Sequence, residues 1–299
     1  MSVLTGRCRC CDADRLRTVP FGYSFRGRWL QAIECAVCGI IYLDPQPSAE
    51  EIASLYTKEY FEGDFRCGHA GSCITSPLHD VLVDKGLLDR LKALKPGGRL
   101  LEVGCAAGTF LHAAKEAGFD VSGVEYSADA AQLARDRFGL RVFTGDVTGA
   151  RFPSEAFDLV FLGDVVEHLP DPRATLREIR RILAPGGALV LACPSQTNTL
   201  FSRLGFLLYG MLGRRATVHL PPYHLFEFRP ACMEALLARC GYERISIVQA
   251  AIPPSMINVR GTFPERAGKR LLQYPNALLT SVLGILGDRM EVTAFRHHD

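Results

Sequence analysis

The sequence has almost no excess charge of either sign. Its 299 residues include 34 lysines and arginines and 32 aspartates and glutamates, which gives a net charge of +2. Because the two signs are interspersed, no broad positive field is available to gather phosphate backbones, and we do not expect a nucleic acid partner. No sequence feature indicates an oligomeric state.

Long apolar runs are also scarce. The first residues, MSVLTGRCRCCDADR, lack the apolar core of a signal peptide. The longest apolar stretches, around 199–213 and 277–287, are shorter than the roughly 20 residues of a membrane helix. We therefore expect a cytoplasmic protein without a transmembrane segment. Its composition, 48% hydrophobic and 22% charged, suits one large domain with a small appendage.

Cysteine is plentiful, but the pattern does not indicate disulfides. The count of eleven is odd, and no export signal accompanies it. Four cysteines form two C-x2-C pairs, Cys8 with Cys11 and Cys35 with Cys38. Two such pairs can complete a closed tetrahedron around structural zinc. With two short strands expected between the pairs, residues 1–45 are predicted to be a zinc ribbon.

Other interpretations of the cysteines stay open. The four could be buried free thiols, and Cys10 could replace Cys8 in the first pair. A further group, Cys67, His69 and Cys73, offers three candidate ligands without a fourth. Such residues more often belong to a loop.

Beyond the ribbon, strands and helices alternate regularly. We expect a helical linker that covers the site over 46–95, and a main domain over 96–299 with a lid insertion at about 195–228. The predicted strands of the main domain are 99–103, 120–125, 140–144, 157–162 and 188–193. Strand and helix in repetition predict an α/β fold with a doubly wound, mostly parallel sheet.

Ligands of such sheets bind at the carboxyl ends of the strands. The first strand ends in LEVGCAAGTF, where Ala106 and Thr109 replace two glycines of a dinucleotide fingerprint. Glu125, about twenty residues further on, is placed to accept the hydroxyls of a ribose. Asp146 follows the third strand and could accept from an adenine amino group. These residues predict an adenosine ligand without phosphates, and they exclude a nicotinamide oxidoreductase.

In these motifs the chain resembles the class I S-adenosylmethionine-dependent methyltransferases. LEVGCAAG is similar to their first motif, Glu125 to their ribose acid, GDV to their adenine acid, and FDLVFLGDVVEHLPDP to their fourth-strand motif. The resemblance implies a seven-stranded sheet that ends in an antiparallel hairpin, here 242–248 and 290–295. It implies S-adenosylmethionine as cofactor, bound by Glu102, Gly104, Cys105, Ala106, Gly108, Glu125, Tyr126, Asp146, Val147 and Gly163.

The N-terminal ribbon is similar to that of methyltransferases from sugar, glycan and secondary-metabolite pathways. This implies a small-molecule acceptor, either hydrophobic or sugar-linked. The chain departs from the sugar C-methyltransferases in lacking their larger C-terminal domain. An alternative is an inactive binding protein that docks a partner through the ribbon, although the intact acids Glu102, Glu125 and Asp146 oppose it. The apolar stripes of the lid and of ALLTSVLGIL are expected to pack in a core rather than meet an acceptor or a membrane.

The motif DVVEHL follows the fourth strand, where the transferred methyl group should point. Its spacing predicts that one helical turn brings Asp164 beside Glu167 and His168, with His224 of YHLFEF as a fourth group. A similar pattern binds a divalent ion such as magnesium in some O-methyltransferases. We favour the metal-free interpretation, in which the histidines face the acceptor as general bases.

Overall fold

The computed structural model describes residues 6–55, 85–253 and 263–297. Two sheets dominate this part of the chain. The larger one has seven strands in the order β11-β12-β8-β7-β4-β5-β6. Its strands are β4 (Arg99–Val103), β5 (Asp120–Glu125), β6 (Val142–Thr144), β7 (Phe157–Gly163), β8 (Leu183–Pro194), β11 (Tyr242–Ala250) and β12 (Arg289–Arg296).

The strand directions in this sheet match the predicted topology. β4 pairs in parallel with β5 and β7, and the parallel pairing continues to β6 on one side and β8 on the other. β12 pairs antiparallel with β8 and with β11, which confirms the predicted hairpin. The chain reverses its winding direction between β4 and β7, so the binding crevice of a doubly wound sheet is expected at the carboxyl ends of these strands.

Helices flank the sheet, and short polar side chains begin two of them. α4 (Ala128–Phe138) begins after Ser127, whose hydroxyl accepts from the amide of Ala130. α5 (Pro172–Ile182) begins after Asp171, which caps the amide of Ala174 at 2.9 Å. Such N-caps satisfy backbone donors that the helix itself cannot pair. The other helices beside the sheet are α2 (Lys85–Leu94), α3 (Thr109–Glu116) and α7 (Pro230–Arg239).

The smaller sheet unites the N-terminal segment with the lid insertion. Its order is β10-β3-β2-β1-β9. The two strands predicted between the cysteine pairs are present, and a third follows them. The strands are β1 (Leu16–Phe25), β2 (Arg28–Cys35), β3 (Ile41–Asp44), β9 (Ala216–Val218) and β10 (Phe226–Glu227). Because β9 and β10 come from the predicted lid segment, 195–228, this segment forms one sheet with β1, β2 and β3.

A buried ion pair fastens this unit to the main domain. Glu34 on β2 accepts from Arg229 at 2.9 Å through one oxygen and from Arg17 at 3.0 Å through the other. Arg229 lies immediately before α7, which packs against β11. The Glu34 and Arg229 side chains are only 10% and 18% exposed. Water can therefore solvate neither charge well, and losing one partner leaves the other charge poorly compensated.

Only part of the predicted linker, 46–95, lies within the described residues. α1 (Ala49–Ala53) begins with a capping box in which Ser48 and Glu51 satisfy each other's backbone amides. The three candidate ligands Cys67, His69 and Cys73 lie outside the described residues.

Two helices contradict the expectation that their apolar stripes pack in a core. α6 (Leu200–Met211) has no fully buried residue: Phe206 stacks on Phe21 of β1, but Leu207, Leu208 and Met211 are exposed. On α8 (Phe263–Leu283) the apolar side chains of Leu271, Leu278 and Val282 are largely exposed. Within the described parts of the chain, no helix has the length and apolar character needed to cross a membrane.

We predict that Glu34→Ala lowers the free energy of unfolding by about 3 kcal/mol or more, because it leaves the largely buried Arg229 cation without its ion-pair partner. Urea unfolding followed by fluorescence measures this change. The matched control is Asp120→Ala, which removes the exposed partner of Arg141 and should cost less than about 1 kcal/mol. Equal losses in the two variants would show that the Glu34 pair does not fasten the two sheets.

Candidate functional site

The two cysteine pairs meet in one cluster. The sulfur atoms of Cys8, Cys11, Cys35 and Cys38 all lie within 4.8 Å of one another. The Sγ atoms of Cys8 and Cys38 are 3.6 Å apart, and those of Cys11 and Cys35 are separated by the same distance. A zinc tetrahedron with Zn–S bonds of about 2.3 Å has edges of about 3.8 Å, close to these separations.

Backbone amides also point at the sulfur atoms. The amides of Cys10 and Cys11 donate to Cys8 Sγ at 3.4 and 3.5 Å, and that of Val37 donates to Cys35 Sγ at 3.4 Å. Such donors favour thiolates. Cys10 is buried but is not one of the four clustered sulfurs, so the structure does not exchange it for Cys8. The donor set and its geometry fit a structural tetrahedral ion.

The first loop of the candidate cofactor site is built from residues with left-handed backbone. Gly104 has a φ of 76°, and an added Cβ would lie 2.4 Å from Val165 Cγ2. Gly108, at 79°, is the N-cap residue before α3, and a Cβ there would lie 2.6 Å from Leu140 Cδ1. Ala106 between them also has a positive φ, of 46°. Together with the small side chains of Cys105 and Ala107, these positions bring the backbone to the end of β4.

Glu125 connects this loop to the end of β5. One carboxylate oxygen accepts from the amide of Ala106 and the other from the amide of Ser127, both at 2.8 Å. The side chain is buried. A carboxylate oxygen can accept more than one hydrogen bond, so Glu125 can order the loop and still accept from a ligand hydroxyl.

The remaining predicted cofactor residues lie at neighbouring strand ends. Asp146 follows β6 and accepts from Thr148 and from the amide of Gly149, and these bonds lower the pKa of its carboxyl group. Tyr126 is half exposed beside Glu125. The other members of the predicted set are buried Glu102 on β4, buried Val147 after Asp146, and Gly163 at the end of β7.

At the end of β7, the structure brings together three of the four predicted catalytic side chains. Possible ligand atoms of Glu167, His168 and His224 lie within 4.8 Å of one another. The first two belong to a 3₁₀ turn, Val166–His168, and His224 lies between β9 and β10. The two imidazole rings meet edge to face at 5.0 Å between centroids.

Asp164 does not join this group. Its carboxylate accepts from Arg289 of β12 at 2.6 Å, although its charge is near enough to act on Glu167 and His224. The spacing did not predict this ion pair, because Arg289 is remote in sequence and belongs to a different strand.

Backbone hydrogen bonds fix how the 3₁₀ turn faces the lid. The amide of Leu225 donates to the carbonyl of Glu167 at 2.9 Å. His168 Nδ1 lies 2.7 Å from the carbonyl oxygen of Tyr223. Because a carbonyl can only accept, Nδ1 must carry the proton. In a neutral ring, Nε2 then keeps its lone pair, and it lies 3.6 Å from Glu167 Oε1.

The electrostatics of the cluster are unusual because Glu167 is 1% exposed and, among the described residues, neither of its carboxylate oxygens has a hydrogen-bond partner. Burial raises the pKa of Glu167 to about 8, and the nearby Asp164 charge adds to this effect. Burial alone would lower the pKa of His224, but Glu227 and Glu167 outweigh it and raise that pKa to about 9. The cluster therefore retains protons at neutral pH.

Sequence reasoning missed two contributors to this cluster. Glu227 lies 3.6 Å from His224 Nδ1, and the carbonyl of Tyr223 sets the His168 tautomer. Both belong to YHLFEF, the segment that supplied His224. Glu227 lies three residues after His224 and could have been found from that spacing, whereas a backbone carbonyl leaves no sequence signal.

Comparison with known families matches residues 79–247 to the model described as "Methyltransferase domain". The match includes the first loop, Glu125, Asp146, the 3₁₀ turn and the lid. The chain belongs to the methyltransferase domain family. Its seven-stranded sheet is the Rossmann-like sheet of that family.

Relatives of this methyltransferase-family protein cover part of the chain. The chain is 30% identical over 166 residues to a 2-methyl-6-phytyl-1,4-hydroquinone methyltransferase from Synechocystis sp. This alignment covers 48% of the chain and 51% of the relative. It is 31% identical over 114 residues to a ubiquinone biosynthesis O-methyltransferase from Xanthomonas campestris pv. campestris, covering 36% and 47%. The chain thus spans about half the length of the curated relatives that it matches.

A solved structure supports the same fold. The phosphoethanolamine N-methyltransferase 2 of Haemonchus contortus, in complex with S-adenosyl-L-methionine, aligns with a TM-score of 0.53 and 17% identity. The alignment covers 90% of this methyltransferase-family chain and 63% of the other chain. At this identity the likeness concerns the fold.

We predict that the stability of the unliganded protein falls as the pH rises, and that Glu167→Gln reduces the fall. The folded-state pKa of Glu167, about 8, lies above its ordinary value of 4.5. The resulting stabilisation is therefore complete below about pH 4.5 and is lost as the pH rises towards about 8. Glutamine cannot ionise, so this loss of up to about 1.4 kcal/mol per pH unit should disappear.

The measurement is urea unfolding of both proteins from about pH 6 to about pH 9, with Glu116→Gln on the exposed surface of α3 as the control. Parallel pH profiles for the parent protein and Glu167→Gln would contradict a proton bound at this carboxyl group.

Proposed function

We propose that the protein transfers the methyl group of S-adenosylmethionine to a small molecule that carries an ionisable hydroxyl group. The observation that carries the proposal is the buried, unsatisfied carboxylate of Glu167 beside His168 and His224. Membership of the methyltransferase domain family supports the reaction class.

The residues at the ends of β4, β5 and β6 fit an adenosine-containing cofactor. The loop from Gly104 to Gly108 offers close backbone approach without side-chain obstruction. Glu125 would accept from the ribose hydroxyls, Asp146 and Val147 would contact the adenine, and Tyr126 would lie against its ring. Glu102 and Gly163 would border the methionine end. When bound, S-adenosylmethionine supplies an electrophilic methyl group on a sulfonium sulfur.

At the acceptor end, the protein positions a nucleophile and removes its proton. His168 is suited to be the base, since Tyr223 holds its tautomer so that Nε2 keeps a lone pair in the neutral ring. His224, whose pKa is raised to about 9, is suited to donate a hydrogen bond to the acceptor. Alignment of the nucleophile at near contact removes much of the barrier to an in-line displacement.

The chemistry of a histidine base favours a phenolic or quinol-type hydroxyl. A phenol has a pKa near 10, as in the tyrosine side chain, whereas the hydroxyl groups of sugars are much weaker acids. A base with a pKa near neutrality therefore removes the phenolic proton more readily. The names of the relatives refer to a hydroquinone and to ubiquinone biosynthesis, which supports this class over a sugar or glycan acceptor.

The cysteine cluster fits a structural zinc ion, which Cys8, Cys11, Cys35 and Cys38 would hold. The sulfur separations and the amide donors described above support this assignment. A small ribbon has little core of its own, so metal binding would contribute directly to its folding.

A divalent ion at Glu167, His168 and His224 is the alternative to the metal-free acceptor site. The unsatisfied carboxylate of Glu167 and the compact donor set fit a cation as well as a proton. An ion here would draw in the acceptor oxygen and lower its pKa. We retain the metal-free site as the proposal, because His168 can supply the base and His224 a hydrogen-bond donor to the acceptor.

We predict that Glu125→Ala weakens the binding of S-adenosylmethionine by about tenfold to a hundredfold, since a charge-assisted contact to the ribose is lost. Calorimetry measures the affinity. Asp129→Ala, at an exposed position in the first turn of α4, is the control and should bind as the parent protein does. Unchanged affinity in Glu125→Ala would refute the ribose contact.

We predict one zinc ion per chain in protein purified without chelator, as measured by elemental analysis. Cys35→Ser should lose the metal because three thiolates no longer close the tetrahedron. Cys240→Ser changes a buried cysteine outside the cluster and should retain it. Parent protein without zinc would contradict the assignment.

We predict that His168→Ala lowers turnover of a phenolic acceptor by about a hundredfold or more, because general base catalysis is lost. The affinity for S-adenosylmethionine should not change. Isotopically methylated cofactor and mass spectrometry identify the product from a panel of catechols, hydroquinones and sugars. His297→Ala, at an exposed histidine directly after β12, is the control.

The same assay separates the two forms of the acceptor site. Turnover that survives chelation supports the metal-free form. Turnover that is lost with a chelator and restored by magnesium, with zinc still bound at the cysteines, would assign the ion instead. Methylation of sugars alone would refute the phenolic acceptor.

A further inference from the structure

The distribution of side chains on α8 is the reverse of that on an ordinary surface helix. Its polar residues Gln273, Asn276 and Thr280 are buried, while its apolar residues Leu271, Tyr274, Leu278 and Val282 are between 64% and 75% exposed. The exposed positions recur at intervals of three and four residues, so they form one stripe along the helix.

Hydrogen bonds hold α8 in this orientation. Asn276 accepts from the amide of Leu200 and donates to the carbonyl of Leu286, both at 2.9 Å. Gln273 donates to the carbonyl of Ile252 at 3.3 Å. Rotating the helix to bury its apolar stripe would break these bonds and leave buried polar groups unpaired, which is costly. The outward stripe is therefore a stable feature of the folded protein.

α6 presents a second outward stripe. The exposed apolar side chains on and just after this helix are those of Leu204, Leu207, Leu208, Met211 and Leu212. Its first turn meets α8 at the bond between Leu200 and Asn276. Scattered exposed leucines are ordinary on a protein surface, but two contacting helices that both expose apolar stripes mark an interaction surface. We call these exposed side chains of α6 and α8 the apolar surface.

Positive charge accompanies the apolar surface. Arg214 and Arg215 follow its α6 part after Gly213. Arg266 and Arg270 lie five residues and one residue before Leu271 of its α8 part, and all four arginines are exposed. The sequence has no acidic residue between Glu178 and Glu227, and none from 266 to 287. The chain as a whole is nearly neutral, so this local excess of one sign is a property of the two helices.

We propose that the apolar surface docks on the face of an anionic lipid bilayer, with its leucines at the boundary of the acyl chains and its arginines among the headgroups. Helices that lie in a membrane interface combine these two features. A second copy of the chain suits the surface less well, because a twofold contact would add a second set of the same arginines and no opposite charge. This proposal goes beyond methyl transfer and does not depend on it.

Flotation with vesicles tests the proposal. The full chain should bind vesicles made of equal parts phosphatidylcholine and phosphatidylglycerol, and bind those of phosphatidylcholine alone much more weakly. Two double variants place charges in the apolar stripes, namely Leu271→Glu/Leu278→Glu on α8 and Leu207→Glu/Met211→Glu on α6. Each should lower the partition coefficient at least about tenfold, because charged groups oppose insertion at the acyl boundary. Arg214→Ala/Arg215→Ala should weaken binding to the anionic vesicles and reduce its dependence on salt.

Matched controls change exposed positions on other helices. Ala93→Glu/Ala238→Glu adds the same two negative charges on α2 and α7, and Lys92→Ala/Lys115→Ala removes two positive charges on α2 and α3. Both should bind vesicles nearly as the parent protein does. Circular dichroism and thermal melting check that every variant is folded. The altered side chains are exposed, so we expect their replacement to leave the fold intact.

Several outcomes would overturn the proposal. One is parent protein that does not float with anionic vesicles. Another is binding that both leucine variants retain in full, or that the controls lose equally. A concentration-dependent dimer that the leucine substitutions abolish, without vesicle binding, would assign the surface to a second copy of the chain.

Discussion

The backbone pairing between β3 and β10 is the contact on which the candidate acceptor site depends. β10 has only two residues, too few to hold a position by itself. Its place is set by β3, where the amide of Leu43 donates to the carbonyl of Leu225 at 3.1 Å, and by the bond from the Leu225 amide to Glu167. His224 lies directly before Leu225, so the N-terminal sheet holds the histidine that faces the end of β7.

This arrangement links the cysteine cluster to the site through a short run of chain. β3 begins three residues after Cys38, and Gly39, with a φ of 76°, allows the chain to turn away from the sulfur atoms. A tetrahedral ion at the cysteines would fix the start of β3 and thereby the register of β10. On this account the N-terminal sheet would form a wall of the proposed acceptor site and position His224 without touching the reacting atoms.

The sequence predicted those parts of the molecule that depend on local signals. The strand ends that carry Gly104, Glu125 and Asp146 were recognisable because alternating strands and helices place their acids at one edge of the sheet. The pairing of β3 with β10 joins segments far apart in the chain, and periodicity carries no information about it. The same reason explains Asp164, whose partner Arg289 is remote. It also explains α8, whose buried face carries polar side chains that are hydrogen-bonded to other segments.

Amide hydrogen exchange after removal of metal from the cysteines tests the central claim most directly. The account predicts faster exchange at Leu43 and Leu225, because their hydrogen bonds depend on the position of β3, while amides in β4 and β5 keep their protection. Unchanged protection at Leu225 in metal-free protein would show that the cysteine cluster does not hold the acceptor site, and would contradict the account.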